Sequence, residues 1–258
     1  MRPRALVLHA SGTNRDREVV RALELAGAQP EIVPLNQLRA REKCWRDYQL
    51  LVLPGGFSYG DALGAGRLLA LDLKLYFAEE VRAFVEIGKP VIGICNGFQA
   101  LVKAGLLPAV DTEQVQATLT FNACGHFVCC WVTLAPQSQA CVWTRGLHEL
   151  LYCPVAHGEG RFVLGNPDGL AALQANDQIA LAYVRPDGSP ALGSYPENPN
   201  GSLADIAGVC NPQGNVLGLM PHPEDHLYPF QHSGWSRGER GRTGLKLFVN
   251  GVRYAAQL

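Results

Sequence analysis

Residues 90–99 read PVIGICNGFQ and carry the strongest structural signal in the sequence. An apolar run ends at Cys95, with Gly93 two residues before it and Gly97 two residues after it. This spacing is typical of a nucleophile elbow, a sharp turn from a strand into a helix that lifts a reactive side chain clear of the sheet. The start of the helix favours a thiolate. The pattern therefore predicts a catalytic nucleophile at Cys95, and the alternative is a buried structural cysteine at a strand end.

A second apolar run, residues 216–220, leads to His222, which stands between two prolines. Proline fixes its own backbone and pushes the residue before it into an extended conformation. Because residues two apart in an extended segment face the same side, Glu224 is expected to orient the imidazole of His222. Cys95, His222 and Glu224 are thus the predicted nucleophile, base and orienting residue of a triad. The alternative for His222 is a packed or surface side chain.

A third segment, residues 50–61, reads LLVLPGGFSYGD, an apolar strand that runs into a glycine-rich turn. Such a turn presents backbone N–H groups to an anion, but this one lacks the G-x-x-x-x-G-K-[ST] pattern of a P-loop. We interpret it as half of an oxyanion hole, in which the backbone amides of Gly56 and Asn96 stabilise a developing charge. Glycine also permits backbone flips, so the loop is a candidate switch. The alternative is an ordinary connecting turn.

In this order the three segments resemble the class I, or triad, glutamine amidotransferases. The resemblance runs from about residue 4 to the C-terminus and is closer to one branch of that family, the glutaminases of purine biosynthesis. The closer match rests on five segments: GTN at 12–14, GGFSYGD at 55–61, CNGFQ at 95–99, HGEGRF at 157–162 and NPNGS at 198–202. There are two departures. Arg15 stands where many members have cysteine, and residues 122–130, NACGHFVCC, stand where members often read NDSGRFECR.

The resemblance implies a concrete reaction. Cys95 attacks the side-chain amide carbon of glutamine, and His222 protonates the departing ammonia and then activates water. Gln99, His157 and Gly158 are implied to line the glutamine pocket. The ammonia is implied to pass to a separate synthetase subunit, which uses ATP and magnesium to convert formylglycinamide ribonucleotide to its amidine, with a small accessory subunit in the complex. No cofactor is expected on this chain.

Two other classes of function remain as alternatives. One is a cysteine hydrolase on the same elbow fold that lacks glutamine specificity. The other is a non-catalytic regulatory homologue that only binds a partner. The first is disfavoured by Gln99 and the Pro-His-Pro-Glu context, and the second by the intact set of three predicted triad residues.

Composition agrees with an enzyme that binds neither nucleic acid nor membranes. The chain has 258 residues and a formal net charge of −1, so no strong electrostatic bias toward either partner is implied. Its N-terminal apolar run is too short for a signal peptide, and no run approaches the roughly 18 apolar residues of a membrane helix. We expect a cytoplasmic protein with one amidotransferase domain over residues 1–258.

The eight cysteines raise a further question, because Cys124, Cys129 and Cys130 cluster with His126. A metal site is one hypothesis. However, the cluster has no C-x-x-C pair, and a strand would send alternate side chains to opposite faces. Without a secretory signal, a disulfide framework is also not expected. The sequence therefore favours no metal site and buried, reduced thiols.

Strands and helices alternate in the first part of the chain. Strands are predicted at 5–9, 32–34, 50–53 and 91–95, and helices at 17–26 and 68–87. This alternation predicts an α/β fold with a mostly parallel central sheet and flanking helices, and the family resemblance implies a flavodoxin-like arrangement. A smaller β-rich excursion begins at residue 117, with runs at 117–121, 127–134, 162–164, 179–185, 206–210 and 216–220. A helix over 245–256 closes the chain.

Overall fold

The computed structural model describes residues 2–109 and 116–258. Its strands are β1 (Arg4–His9), β2 (Gln29–Pro34), β3 (Leu50–Leu53), β4 (Val91–Ile94), β5 (Ala117–Thr120), β6 (Val128–Pro136), β7 (Leu151–His157), β8 (Arg161–Leu164), β9 (Ile179–Val184), β10 (Ile206–Cys210) and β11 (Val216–Leu219). Its α-helices are α1 (Asp16–Ala26), α2 (Leu35–Arg39), α3 (Arg67–Tyr76), α4 (Ala78–Glu86), α5 (Asn96–Lys103), α6 (Gly169–Ala175) and α7 (Leu245–Ala255).

Nine of these strands form one sheet, in the order β2-β1-β3-β4-β11-β10-β9-β6-β7. The five strands from β2 to β11 pair in parallel, and the remaining four continue the sheet in antiparallel pairs. Strands β5 and β8 form a separate two-stranded sheet. The predicted α/β class is confirmed. The β-rich excursion largely extends the central sheet, because β6, β7, β9 and β10 pair onto its β11 edge.

The parallel half of the sheet carries the core of the molecule. Every residue of β3, β4 and β11 is buried, as is typical of parallel strands covered on both faces. Helix α5 packs against these three strands, and α1 packs against α7. The carboxyl ends of β3 and β4 lie side by side, which brings the glycine-rich turn after β3 next to Cys95.

The predicted single helix over 68–87 is wrong, because the chain forms two helices, α3 and α4. They meet at Phe77, whose backbone (φ −135°, ψ 16°) leaves the helical region. The ring of Phe77 is buried and lies 5.5 Å from the ring of Trp45, centroid to centroid. Burying this aromatic side chain against Trp45 outweighs the gain from one continuous helix.

Strand β7, which contains Pro154, was not predicted from the sequence. A proline cannot donate a ladder hydrogen bond and is tolerated on an edge strand, and β7 is the edge strand beyond β6. Helices α2 and α6, which are only five and seven residues long, were not expected either. The longest described helices have 11 residues, and none has the length and apolar character needed to span a bilayer.

Candidate active site

Cys95 occupies a nucleophile elbow between β4 and α5. Its φ of 50° and ψ of −104° lie outside the regions that a non-glycine residue readily adopts. A Cβ atom on Gly97 would lie 2.0 Å from the carbonyl oxygen of Leu53, and one on Gly93 would lie 2.8 Å from the carbonyl group of Gly97. Both glycines are therefore required by the close approach of α5 to the sheet, as the sequence predicted.

This geometry predicts the effect of Gly97→Ala. We expect the added methyl group to push α5 away from β3 and to lower the free energy of unfolding by about 1–3 kcal/mol, as overpacking does. The measurement is chemical denaturation combined with the rate of Cys95 alkylation, which should change as the elbow opens. Gly169→Ala is the matched control, since its methyl group would first meet a side-chain methyl group of Leu164 at 3.1 Å rather than a backbone carbonyl. Equal stability of the two variants would contradict the steric explanation.

His222 and Glu224 lie together, although not in the extended geometry that was predicted. Pro223, Glu224 and Asp225 form a short 3-10 turn, because proline readily starts a helical turn. Within this turn Nδ1 of His222 lies 2.7 Å from Oε1 of Glu224, and both side chains are buried. The backbone N–H of His222 donates to the carbonyl of Pro154 at 2.8 Å, so the unexpected edge strand β7 also positions the imidazole.

The charge on His222 is set by opposing effects. Burial alone would lower the pKa of the imidazole, but the Glu224 carboxylate and the Cys95 sulfur raise it well above its usual range. Nε2 is buried and makes no hydrogen bond within the described ranges. With Nδ1 held by Glu224, Nε2 is the nitrogen left to exchange a proton with Cys95 or with a bound substrate.

The glycine-rich loop packs directly against the imidazole. A Cβ atom on Gly55 would lie 2.7 Å from Cε1 of His222. Gly56 has a φ of 132°, and a side chain there would meet the backbone nitrogen of Asn14 at 2.7 Å. The neighbouring N–H of Phe57 donates to the carbonyl of Gly12 at 3.0 Å. The segment after β1 therefore holds the predicted oxyanion loop beside the predicted base.

Asn96 joins this loop to the elbow helix through its side chain, a role that the sequence did not indicate. Its Oδ1 accepts from the backbone N–H and the hydroxyl of Ser58, at 3.1 and 2.5 Å. Its Nδ2 donates to Asp61 at 2.9 Å and to Gln99 at 3.1 Å. Its backbone N–H lies in the first turn of α5, where the helix supplies no acceptor. It remains the predicted second donor of the oxyanion hole.

A cavity of about 160 Å³ opens beside Cys95. It is smaller than the roughly 300–1,000 Å³ of sites for drug-sized ligands, which suits a small substrate. Its walls include Gly56, Cys95, Gln99, His157 and Gly158, which places five of the predicted site residues around one space. A larger cavity of about 510 Å³ does not have Cys95 in its walls, so size alone does not locate the site. His222, Glu224 and Asn96 are not among the residues that line the smaller cavity.

The cavity wall also contains Asp61 and Glu159, which were missed as site residues although both stand in the segments quoted for the family resemblance. Burial raises the pKa of Asp61, and its hydrogen bond with Asn96 acts in the opposite direction. Glu159 accepts from the backbone N–H of Ala65 at 3.2 Å. These carboxylates give the cavity an acidic side, which suits the ammonium group of an amino acid.

Gln99 and His157 are held by other protein groups. Nε2 of Gln99 donates to the carbonyl of Glu159 at 2.7 Å, so its amide braces the cavity wall. Nδ1 of His157 lies 3.1 Å from Oδ1 of Asn122, which also accepts from the N–H of Gly160. Burial, together with His222, lowers the pKa of His157 to about 4. His157 is thus neutral at pH 7, with its proton on Nδ1 and a buried Nε2 that has no partner among the described residues.

The cysteine cluster of the sequence does not form a metal-binding group among the described residues. Cys124 and Cys129 are exposed and Cys130 is half-buried, so the expectation of buried thiols is wrong for this group. Cys129 and Cys130 follow each other in β6, where successive side chains face opposite sides. Over the described ranges, these residues and His126 form no group whose ligand atoms could reach one metal ion. All eight cysteines are free thiols.

Comparison with known proteins agrees with the geometry. The sequence model of the CobB/CobQ-like glutamine amidotransferase domain matches residues 2–255. Phosphoribosylformylglycinamidine synthase subunit PurQ from Treponema denticola is 54% identical over 268 residues, and the match covers 98% of this chain and 99% of the relative. The subunit of the same name from Dehalococcoides mccartyi is 44% identical over 259 residues, covering 99% and 98%.

Solved structures agree as well. A chain in the structure of PurLQS from Thermotoga maritima aligns with a TM-score of 0.75 and 35% identity, over 98% of this chain and 99% of that chain. The predicted resemblance to glutamine amidotransferases is therefore confirmed over nearly the full length. This chain belongs to the family of CobB/CobQ-like glutamine amidotransferases.

Proposed function

We propose that this chain is the glutaminase subunit of a formylglycinamidine ribonucleotide synthase and that it acts as one amidotransferase domain. The observation that carries the assignment is the Cys95 elbow in the wall of a small cavity, with the buried His222–Glu224 pair at 2.7 Å packed against the glycine-rich loop that lines the same cavity. Relatives of 54% and 44% identity bear the corresponding name over almost the whole chain. The product of this reaction is ammonia for a step of purine biosynthesis.

The chemistry follows from the proposed roles. The Cys95 thiolate attacks the side-chain amide carbon of glutamine, and the backbone amides of Gly56 and Asn96 stabilise the tetrahedral oxyanion. The His222 imidazolium gives its proton from Nε2 to the leaving ammonia, and the thioester remains on Cys95. The neutral imidazole then takes a proton from water, which hydrolyses the thioester to glutamate. Glu224 holds Nδ1 and stabilises the imidazolium.

The ammonia requires a receiving site outside this chain. Phe57, Phe121 and Phe127 surround the mouth of the cavity, and their exposed fractions of 45%, 70% and 50% are large for aromatic side chains. Apolar side chains grouped at a site entrance mark a surface that a partner covers. We propose that a synthetase subunit docks here, with its own ATP and magnesium and a small accessory subunit. We expect this chain to act in the cytoplasm, because the phosphorylated substrate of that synthetase is retained there.

Reconstitution tests the proposed function. The chain is mixed with purified candidate synthetase and accessory subunits, formylglycinamide ribonucleotide, ATP and magnesium, and amidine formation is followed with glutamine or with ammonium chloride. We expect synthesis from both nitrogen sources, with glutamine depending on this chain. Synthesis from ammonia alone would refute the assignment. Hydrolysis of general amide or ester substrates at a comparable rate would favour the alternative of a non-specific cysteine hydrolase.

The oxyanion loop predicts that activity depends on the partner. The carbonyl of Gly55 accepts from the N–H groups of Asn14 and Arg15 at 3.5 and 3.3 Å, which are long hydrogen bonds. Among the hydrogen bonds between described residues, a flip of the Gly55–Gly56 peptide breaks these two. One lost oxyanion donor costs about 10²–10³ in kcat. We expect the isolated chain to hydrolyse glutamine at least about 100-fold more slowly than the complex with nucleotide bound. Equal kcat values for the chain alone and in the complex would refute this dependence.

A further inference from the structure

Arg15 lies at the junction of the predicted oxyanion loop and the predicted triad. It directly precedes α1, and its backbone N–H donates to the carbonyl of Gly55 at 3.3 Å. A Cβ atom on Gly55 would lie 3.5 Å from Cγ of Arg15 and 2.7 Å from Cε1 of His222, so both side chains border the same point of the loop. The backbone and the aliphatic stem of Arg15 therefore both pack at the loop that borders the imidazole.

The guanidinium of Arg15 reaches the turn that carries Glu224. Its Nη1 lies 3.6 Å from Oδ1 of Asp225 and 3.5 Å from Oε1 of Glu18. Asp225 directly follows Glu224, and side-chain atoms of His222, Glu224 and Asp225 all lie within 4.8 Å of one another. The side chain of Asp225 is 18% exposed, so its interaction with the guanidinium is only partly screened by solvent. The guanidinium of Arg15 thus faces the carboxylates of Asp225 and Glu18 behind the triad.

The charge on Asp225 depends on all of its neighbours. Burial, and then the Glu224 carboxylate, raise the pKa of Asp225 to about 6, while His222 and Arg15 act in the opposite direction. Glu18 on α1 adds a smaller raising effect, and Cys153 on β7 is a further titratable neighbour. An ionised Asp225 favours the imidazolium form of His222, but it also repels Glu224, whose Oε2 is buried with no hydrogen bond inside the described ranges. A cation at this point relieves that repulsion.

We propose that Arg15 is a positioning residue of the glutaminase site, which ties the Gly55–Gly56 loop to the turn that carries Glu224 through its backbone bond to Gly55 and its ion pair with Asp225. The proposal rests on the glutaminase function proposed above and adds a role for a position outside the triad. A simple triad has one carboxylate behind the imidazole. Here the carboxylates of Glu224 and Asp225 and the guanidinium of Arg15 lie there.

The test compares variants in the reconstituted complex. Arg15→Met keeps an apolar stem over Gly55 but removes the charge, and Arg15→Lys restores the charge. We expect Arg15→Met to lower kcat for glutamine by about three- to tenfold at pH 7, as expected for one partly buried ion pair. Ammonia-dependent synthesis should stay constant. Arg17→Met, which removes an exposed arginine in the first turn of α1, is the matched control.

The pH profile separates positioning from a merely structural role. Because the ion pair exists only while Asp225, with a pKa of about 6, is ionised, the loss of kcat in Arg15→Met should be largest above about pH 6 and should fade below it. Arg15→Lys should restore kcat above that pH, and Arg15→Met should be silent in the double variant with Asp225→Asn. A loss of kcat that is equal at all pH values, or no rescue by Arg15→Lys, would overturn the proposal. Absence of glutamine-dependent synthesis in the unmodified complex would instead overturn the proposed function.

Discussion

Replacing Cys95 by alanine should abolish glutamine hydrolysis while ammonia-dependent amidine synthesis by the complex is retained. The expected loss in kcat is about 10⁶-fold, the size measured when a triad protease loses its nucleophile. The physical reason is that Cys95 is the cysteine at the end of β4, where the backbone presents the sulfur to the cavity and the helix α5 begins. The ammonia-dependent reaction belongs to a site on the partner and does not need the thiolate.

Two controls make this experiment specific. Cys129→Ala removes an exposed thiol in β6 and should leave both activities unchanged. An electrophilic glutamine analogue should label Cys95 before any other thiol, which peptide mass spectrometry identifies. Loss of ammonia-dependent synthesis in a folded Cys95→Ala variant, or first labelling of Cys129, would contradict the assignment of the nucleophile.

Replacing His222 by alanine should be nearly as damaging as replacing Cys95, because nucleophile and base act as one unit. The orienting residue should matter less: in a triad protease its loss cost about a hundredfold less than loss of the nucleophile or the base. We therefore expect kcat to fall in the order wild type, Glu224→Gln, then His222→Ala and Cys95→Ala together. Steady-state glutaminase rates of the three variants in the complex give the ranking. An active His222→Ala variant would remove His222 from the mechanism.

Glu224→Gln should also change the dependence of stability on pH. The folded protein raises the pKa of His222 above its unfolded value of about 6.5. A raised pKa means that the imidazolium–carboxylate pair stabilises the fold fully below about pH 6.5, and that this stabilisation is lost as the pH rises through the folded pKa. The variant should therefore lose most stability, relative to wild type, between about pH 5 and 6.5. Denaturation midpoints measured from about pH 5 into the alkaline range provide the check: the difference from wild type should shrink as the pH rises through the folded pKa of His222, and a constant difference at every pH would contradict the prediction.

Local sequence determined the elbow and the parallel half of the sheet. A tight turn needs residues without side chains on both sides of its nucleophile, so the steric requirement at Gly93 and Gly97 is visible within five residues of sequence. Buried parallel strands need continuous apolar runs, and these stand out at β3 and β4. Even where the predicted geometry was wrong, as in the 3-10 turn at Glu224, the pairing of His222 with a carboxylate two residues away was visible because both partners lie in one short segment.

Only the tertiary structure decided the contacts that hold the site together. The edge strand β7 with Pro154, the side chain of Asn96 against Ser58, and the pairing of Arg15 with Asp225 all join residues far apart in the chain. Periodicity reports which face of an element is buried, but it carries no information about which distant segment covers that face. The break at Phe77 has the same origin, since a buried ring contact with Trp45 overrode the helical pattern of its own neighbours. Local chemistry thus predicted the reacting groups, and long-range packing determined how they are oriented and charged.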